Sequence, residues 1–354
     1  MDSESRVERA ARFRRRRRMA GGLGAVAAAI VVVAAVLIGT GVLDSGPSSG
    51  SSSPARPRHG ASTSGQATRP TSTSTTAPQP KPPYPIQSQT ATFTDPTRDT
   101  WARGDVPAVS GRVLVTDILR PVGPTGPLPL VVFAHGWDSD PSHYQPLLDA
   151  WAGAGYLVVA PTFPDSTDTT PGQPVSDYGD QAKDMSFVIT SLLDGQVPSA
   201  GPIDPHRIAV AGHSDGGTDV AFMALNPAYA DPRVKAYVSL SSEIPAGVAG
   251  PWGTPTAGAL LVAVGTDDEY GLFPNSTEVY QTADMVKAFV TVSGGDHLDT
   301  FVGATPQAEA VRDETVRFLQ VALGPGSGPV TPATLSAALE PAPDPSIAVE
   351  VGSG

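Results

Sequence analysis

The chain has 354 residues, 40% of them hydrophobic and 16% charged: enough for one large domain with extensions or two small domains, and too apolar for a wholly disordered chain. It contains no cysteine, which excludes disulfide scaffolds, thiolate metal sites and cysteine nucleophiles and leaves the chemistry to Ser, His and carboxylates. The formal net charge of -12 is uneven: residues 1–43 carry eight Arg against three acids, whereas residues 86–354 hold 11 Lys and Arg against 31 Asp and Glu. A body with a net charge of -20 repels phosphate backbones, so no nucleic acid is expected among the partners.

Residues 1–18 form a basic segment with Arg12 and the run 14–18 at its end, and residues 19–43 are uncharged and mostly apolar. At about 1.5 Å per residue those 25 residues span a hydrocarbon core of roughly 30 Å. Arginines before the span place the N-terminus in the cytoplasm and the rest of the chain outside. A single-pass anchor is favoured over a cleaved signal peptide, whose apolar core usually runs only about 7 to 15 residues. Residues 44–85, rich in Ser, Thr, Pro and Gly, bury too little to repay their ordering entropy and read as a disordered stalk.

Residues 86–325 read as one folded domain of alternating strands and helices. Residues 112–119 (RVLVTDIL) alternate like a half-exposed strand, while 128–134 (LPLVVFA) and 156–160 (YLVVA) are apolar runs suited to strands buried on both faces. Residues 142–153 suit the crossover helix between them. The cycle continues with a helix at 182–193, a strand at 207–211 (RIAVA), a helix at 219–225 and strands at 234–240 and 259–264 (ALLVAV). A helix near 278–282, a strand at 288–292 and a helix at 306–322 follow. The tail, 326–354, offers a short helix capped by Thr331 with Pro332 at its first position, and an edge strand at 346–351, so it is expected to dock. The fold class is α/β, a doubly wound, mostly parallel sheet of about eight strands.

The informative segment is Gly212-His213-Ser214-Asp215-Gly216-Gly217, between the strand RIAVA and a helix. A serine there sits on a strained strand-to-helix turn, with glycines where the backbone is crowded, and is the candidate nucleophile. Its base lies later in the chain in this arrangement, and His297 is the one histidine after Ser214. The acid that orients His297 is sought after the strand ALLVAV, in Gly265-Thr266-Asp267-Asp268-Glu269. Asp268, three residues past the strand-ending glycine, is preferred, with Asp267, Glu269 and, more distantly, Glu243 as alternatives. Oxyanion donors are expected from the backbone N–H of Asp215 and, in His135-Gly136-Trp137, from that of Trp137. With no Cys and one histidine beyond Ser214, no metal site and no zinc dependence are expected.

These residues resemble the α/β-hydrolase superfamily. From Phe93-Thr94-Asp95-Pro96 through FAHGW, GHSDGG and GGDH, residues 89–323 are similar to the branch holding platelet-activating-factor acetylhydrolase-like, chlorophyllase-like and cutinase-like polyester hydrolases. The resemblance implies a cofactor-free serine esterase acting through an acyl-enzyme on a small-molecule or polymeric ester. It departs from many bacterial cutinases, whose C-terminal disulfide is impossible here. The 18 residues between the strands ending at Leu240 and starting at Ala259 are too few for a helical cap, so an open cleft suited to bulky or extended esters is expected. A serine peptidase or amidase, or a silent surface-displayed binding module, are the alternatives.

Overall fold

The apolar runs of the sequence become the centre of one sheet. β3 (Leu128–Ala134) and β7 (Ala259–Gly265) are buried at every residue, and β4 (Leu157–Thr162) at all but its last. Around them lie β1 (Ile86–Asp95), β2 (Arg112–Pro121), β5 (Ile203–His213), β6 (Val234–Leu240), β8 (Val286–Val292) and β9 (Ile347–Gly352). The computed structural model describes residues 83–354 apart from 247, 249, 254–257, 325–328, 341 and 343. The basic segment, the apolar run and nearly all of the stalk lie outside the described residues. Among the described residues no helix is long and apolar enough to cross a membrane.

The strand order is β1-β2-β4-β3-β5-β6-β7-β8-β9. Pairing is parallel from β4 through β8, and antiparallel at β1/β2, β2/β4 and β8/β9. The helices are α1 (Gln145–Gly153), α2 (Tyr178–Leu193), α3 (Asp215–Leu225), α4 (Phe273–Thr282), the single turn α5 (Asp299–Val302), α6 (Pro306–Leu323) and α7 (Pro332–Leu339). Side chains alternate across each strand, so Leu130 and Val132 of β3 pack in one core layer with α2, α3 and α4. Val131 and Phe133 pack in the other with α1, α6 and α7. The sheet is therefore doubly wound and mostly parallel.

Nine strands form the sheet rather than about eight, and the unforeseen one is β1. Its sequence, IQSQTATFTD, is polar because the strand is an edge, and only Phe93 and Asp95 are buried. The tail is part of this sheet: β9 pairs with β8 from Ile347 to Gly352, and α7 packs beside it through Leu335 and Leu339. Thr331 and Thr334 exchange side-chain-to-backbone bonds in a capping box that satisfies two first-turn amides.

At the β2 side a charged cluster is enclosed. Arg112, fully buried, donates to Asp165 (2.7 Å), Asp177 (2.7 Å) and Asp184 (2.6 Å). Arg98 joins it through Asp184 (2.5 Å) and Asp95 (2.8 Å). Burial pushes the Asp177 carboxyl up to about 7 against the pull of Arg112. Asp219 of α3 lies nearby, completely buried, and neither carboxylate oxygen has a hydrogen-bond partner among the described residues. Burial, with Asp177, Asp215 and Asp184 adding like charge, raises its pKa well above the ordinary carboxylate value.

Candidate active site

Ser214, Trp137, Asp268 and His297 each follow a parallel strand, β5, β3, β7 and β8 in turn, so the topology gathers them at the carboxyl end of the sheet. Ser214 has φ 58 and ψ -120, a strained conformation for a residue with a side chain, and α3 begins at the next residue. The turn is held by Ser214 N–H to Leu240 O (2.9 Å) and Thr218 N–H to Ser214 O (2.9 Å). It closes only over glycine. A Cβ on Gly212 would lie 2.1 Å from Gly216 O, and one on Gly216 would lie 2.1 Å from Ala134 O.

The loop after β3 passes beside the serine. A Cβ on Gly136 would sit 3.2 Å from Ser214 Cβ and 3.0 Å from Tyr144 Oη. The ring of His135 ties this loop down: Phe163 N–H donates to its Nε2 (2.9 Å), so Nδ1 carries the proton and donates to Gly136 O (2.8 Å). Burial pushes the His135 pKa down to about 4 and keeps the ring neutral. Trp137 is half-buried next in line, and Asp215, whose N–H opens α3, is buried with its carboxylate accepting from Ser176 Oγ (2.5 Å) and Tyr178 Oη (3.3 Å).

Of the four acids weighed from the sequence, Asp268 is the one whose carboxylate meets the imidazole. His297 Nδ1 lies 2.8 Å from Asp268 Oδ2, and the Asp268 side chain is fully enclosed. Burial alone would raise the Asp268 pKa, but the bond to His297, its charge and the N–H of Tyr270 (2.9 Å) outweigh that and lower it. Asp268 therefore accepts and Nδ1–H donates, which leaves the lone pair of His297 on Nε2. Asp267 is exposed and bonded to Thr266, Glu243 accepts from Asn275 Nδ2 (3.2 Å), and Glu269 accepts from the backbone N–H of His297 (3.0 Å). The loops after β7 and β8 meet at Gly265, where a Cβ would lie 2.1 Å from Gly295 O.

Among the described residues neither Ser214 Oγ nor His297 Nε2 has a hydrogen-bond partner. The loop carrying His297 is tied to the serine turn by His213, beside Ser214 in the chain, whose Nε2 lies 2.7 Å from His297 O and whose ring centroid is 4.5 Å from that of His297. His213 Nδ1 in turn meets Tyr144 Oη (3.0 Å). Neither residue was singled out from the sequence. His213 lies inside the nucleophile motif but precedes Ser214, and Tyr144 carries no local signal in the sequence.

Among the described residues one group of His and carboxylates could hold a metal ion, Asp140, His143 and Asp168, whose ligand atoms lie within 4.8 Å of one another. It contains none of the site residues expected from the sequence, its side chains are partly open to solvent, and His143 Nδ1 is engaged by Ser139 Oγ (2.8 Å).

Compared with known families, residues 111–246 match the family model described as Chlorophyllase. The matched stretch contains Trp137, Ser214 and Asp215 and ends before Asp268 and His297. No curated protein matches the chain.

Proposed function

Because this chain belongs to the α/β-hydrolase superfamily and is related to its ester-cleaving chlorophyllase family, we propose that it is a serine esterase working through Ser214, His297 and Asp268. The observation that supports this most is the enclosed Asp268–His297 pair, 2.8 Å apart, with Nε2 without a hydrogen-bond partner among the described residues and the loop that carries His297 tied to the serine turn by His213.

In the proposed reaction Ser214 Oγ attacks the ester carbonyl carbon as its proton passes to His297 Nε2. The N–H groups of Asp215 and Trp137 receive the charge that develops on the carbonyl oxygen, each such donor contributing about 10² to 10³ in rate. The tetrahedral intermediate collapses to an acyl-enzyme as His297 returns the proton to the leaving alcohol. Water then attacks the acyl carbon, His297 takes its proton, and the second collapse releases the acid and restores Ser214. Asp268 holds the ring tautomer and balances the transient imidazolium. Catalytic hydrogen bonds of the Ser–His kind are often long without substrate, so the open Nε2 accords with this reading.

No cofactor or metal enters these steps. The substrate class is a carboxylic ester, and the short connection between β6 and β7 favours bulky or extended ones. The N-terminal apolar run is proposed as an anchor that holds the domain outside the membrane: the full chain should sediment with membranes, whereas a chain starting near Tyr84 should stay soluble with equal activity.

The mechanism is tested by Ser214→Ala. Turnover of short p-nitrophenyl esters should fall to the residual catalysis of binding and oxyanion donors, on the order of 10³ to 10⁴ over water, with the fold retained. Wild-type activity in the pure variant would exclude it.

A further inference from the structure

Tyr144 and His213 take part in no step of the proposed reaction, yet both are buried between the loops that carry it. The direction of each of their hydrogen bonds is forced. A carbonyl only accepts, so His213 Nε2 carries the ring proton and donates to His297 O (2.7 Å). Nδ1 is then an acceptor, and Tyr144 Oη donates to it (3.0 Å) while accepting from Gly136 N–H (3.1 Å). One chain of polar contacts thus runs from the backbone beside the candidate oxyanion donor, through the neighbour of the nucleophile, to the backbone of the candidate base.

The surroundings hold this chain rigid. Tyr144 packs on Phe133 with ring centroids 4.8 Å apart, and His213 packs on Phe301 at 5.3 Å. Burial, reinforced by His297, pushes the His213 pKa down to about 3, so the ring stays neutral and the polarity of the chain does not reverse near neutral pH. His297 is gripped at three points: its ring by Asp268, its N–H by Glu269 and its carbonyl by His213. The first two acids belong to the loop after β7 and orient the ring relative to that loop. Only the third grip reaches the strand that carries Ser214.

We propose that Tyr144 and His213 are positioning residues that set the spacing of the oxyanion loop, Ser214 and His297, acting through the backbone of Gly136 and His297 rather than on substrate. The inference rests on the esterase reading. It assigns the histidine of the nucleophile motif a mechanical role that a proton-transfer role would not require, because both ring nitrogens are committed to other groups.

The test uses the full chain with Tyr144→Phe, His213→Phe and His213→Gln. Tyr144→Phe deletes one oxygen, His213→Phe deletes both bonds while keeping a ring, and His213→Gln returns an N–H within reach of His297 O. Tyr144→Phe and His213→Phe should lower kcat by about 10²-fold, the cost of misplacing reacting groups by roughly 1 Å, while KM moves far less. His213→Gln should recover part of the loss, and melting temperatures should not follow the order of kcat. Imidazole nitrogen NMR at neutral pH should find His213 protonated on Nε2 in the wild type and still on Nε2 in Tyr144→Phe, where His297 O remains the acceptor and only the Nδ1 shift moves as the Tyr144 hydroxyl is lost. Wild-type kcat in both Tyr144→Phe and His213→Phe, or a His213 proton on Nδ1 in the wild type, would overturn the proposal. If His213→Phe fails to fold, Tyr144→Phe carries the same decision. If the wild type cleaves no ester, the esterase reading falls, and the NMR result still decides whether the polar chain exists.

Discussion

Around Arg112 three carboxylates converge on one fully enclosed guanidinium, whereas around His297 one carboxylate meets one imidazole whose second nitrogen has no partner among the described residues. Both groups are buried, and both depend on residues far apart in sequence. The difference lies in what is left over. Every Arg112 nitrogen is spent on holding α2 and the loop after β4 to the edge of the sheet, while the His297 pair keeps one lone pair at the open carboxyl end. Charge enclosed without a spare valence stabilises a shape; one unspent acceptor is what the proposed proton transfer from Ser214 requires.

The sharpest way to break this contrast is Asp268→Asn. It keeps the shape but favours the wrong tautomer of His297, and kcat at saturating ester should fall by about 10⁴. Asp267→Asn and Glu243→Gln, one exposed and the other bonded elsewhere, should change kcat far less. If either of these is the crippled variant, the pairing seen at His297 is not the working one.

On the other side of the comparison, Arg112→Met should lower stability by about 3 to 5 kcal/mol, because removing one partner leaves several buried carboxylates without compensation. Denaturant titration measures this, and an unchanged midpoint would mean that the cluster is not closed to water.

A smaller effect is expected at Asp219. Its folded-state pKa is raised, so between the ordinary carboxylate value and that raised value the folded chain holds a proton that the unfolded chain has lost. Stability from this group is therefore present at low pH and declines as pH rises through the folded-state pKa. Asp219→Asn should be more stable than the wild type by roughly 1 kcal/mol at pH 8 and show a flatter pH dependence. Equal slopes for the two proteins would contradict the assignment. The mildest change is Thr331→Ala, which removes the cap of α7 and should cost about 1 kcal/mol in the docked tail, read as faster amide exchange over residues 332–339.

What the sequence makes legible follows the same contrast. The buried strands stand out as apolar runs, and the serine turn stands out because its strain demands Gly212 and Gly216 at fixed positions. β1 does not stand out, since an edge strand with two buried residues lacks the apolar contrast that marks the others. α3 begins at Asp215 rather than 219, because the glycine pair that weakens a helical reading is required by contact with β3 at Gly216 and β6 at Gly217. Three consecutive acids after β7 could not be ranked by composition, as the turn decides which one points inward. The Tyr144–His213 chain and the Arg112 cluster are invisible in sequence because their deciding contacts are remote: Arg112 and Asp165 are 53 residues apart, Tyr144 and His213 69, and His213 and His297 84.

The claim on which the rest depends is that Ser214 is an activated nucleophile, and reaction of the full chain with a fluorophosphonate, followed by peptide mapping, tests it most directly. The account predicts a single adduct on Ser214, absent in Ser214→Ala and formed much more slowly in Asp268→Asn. An unlabelled wild type, or an adduct elsewhere that persists in Ser214→Ala, would contradict it.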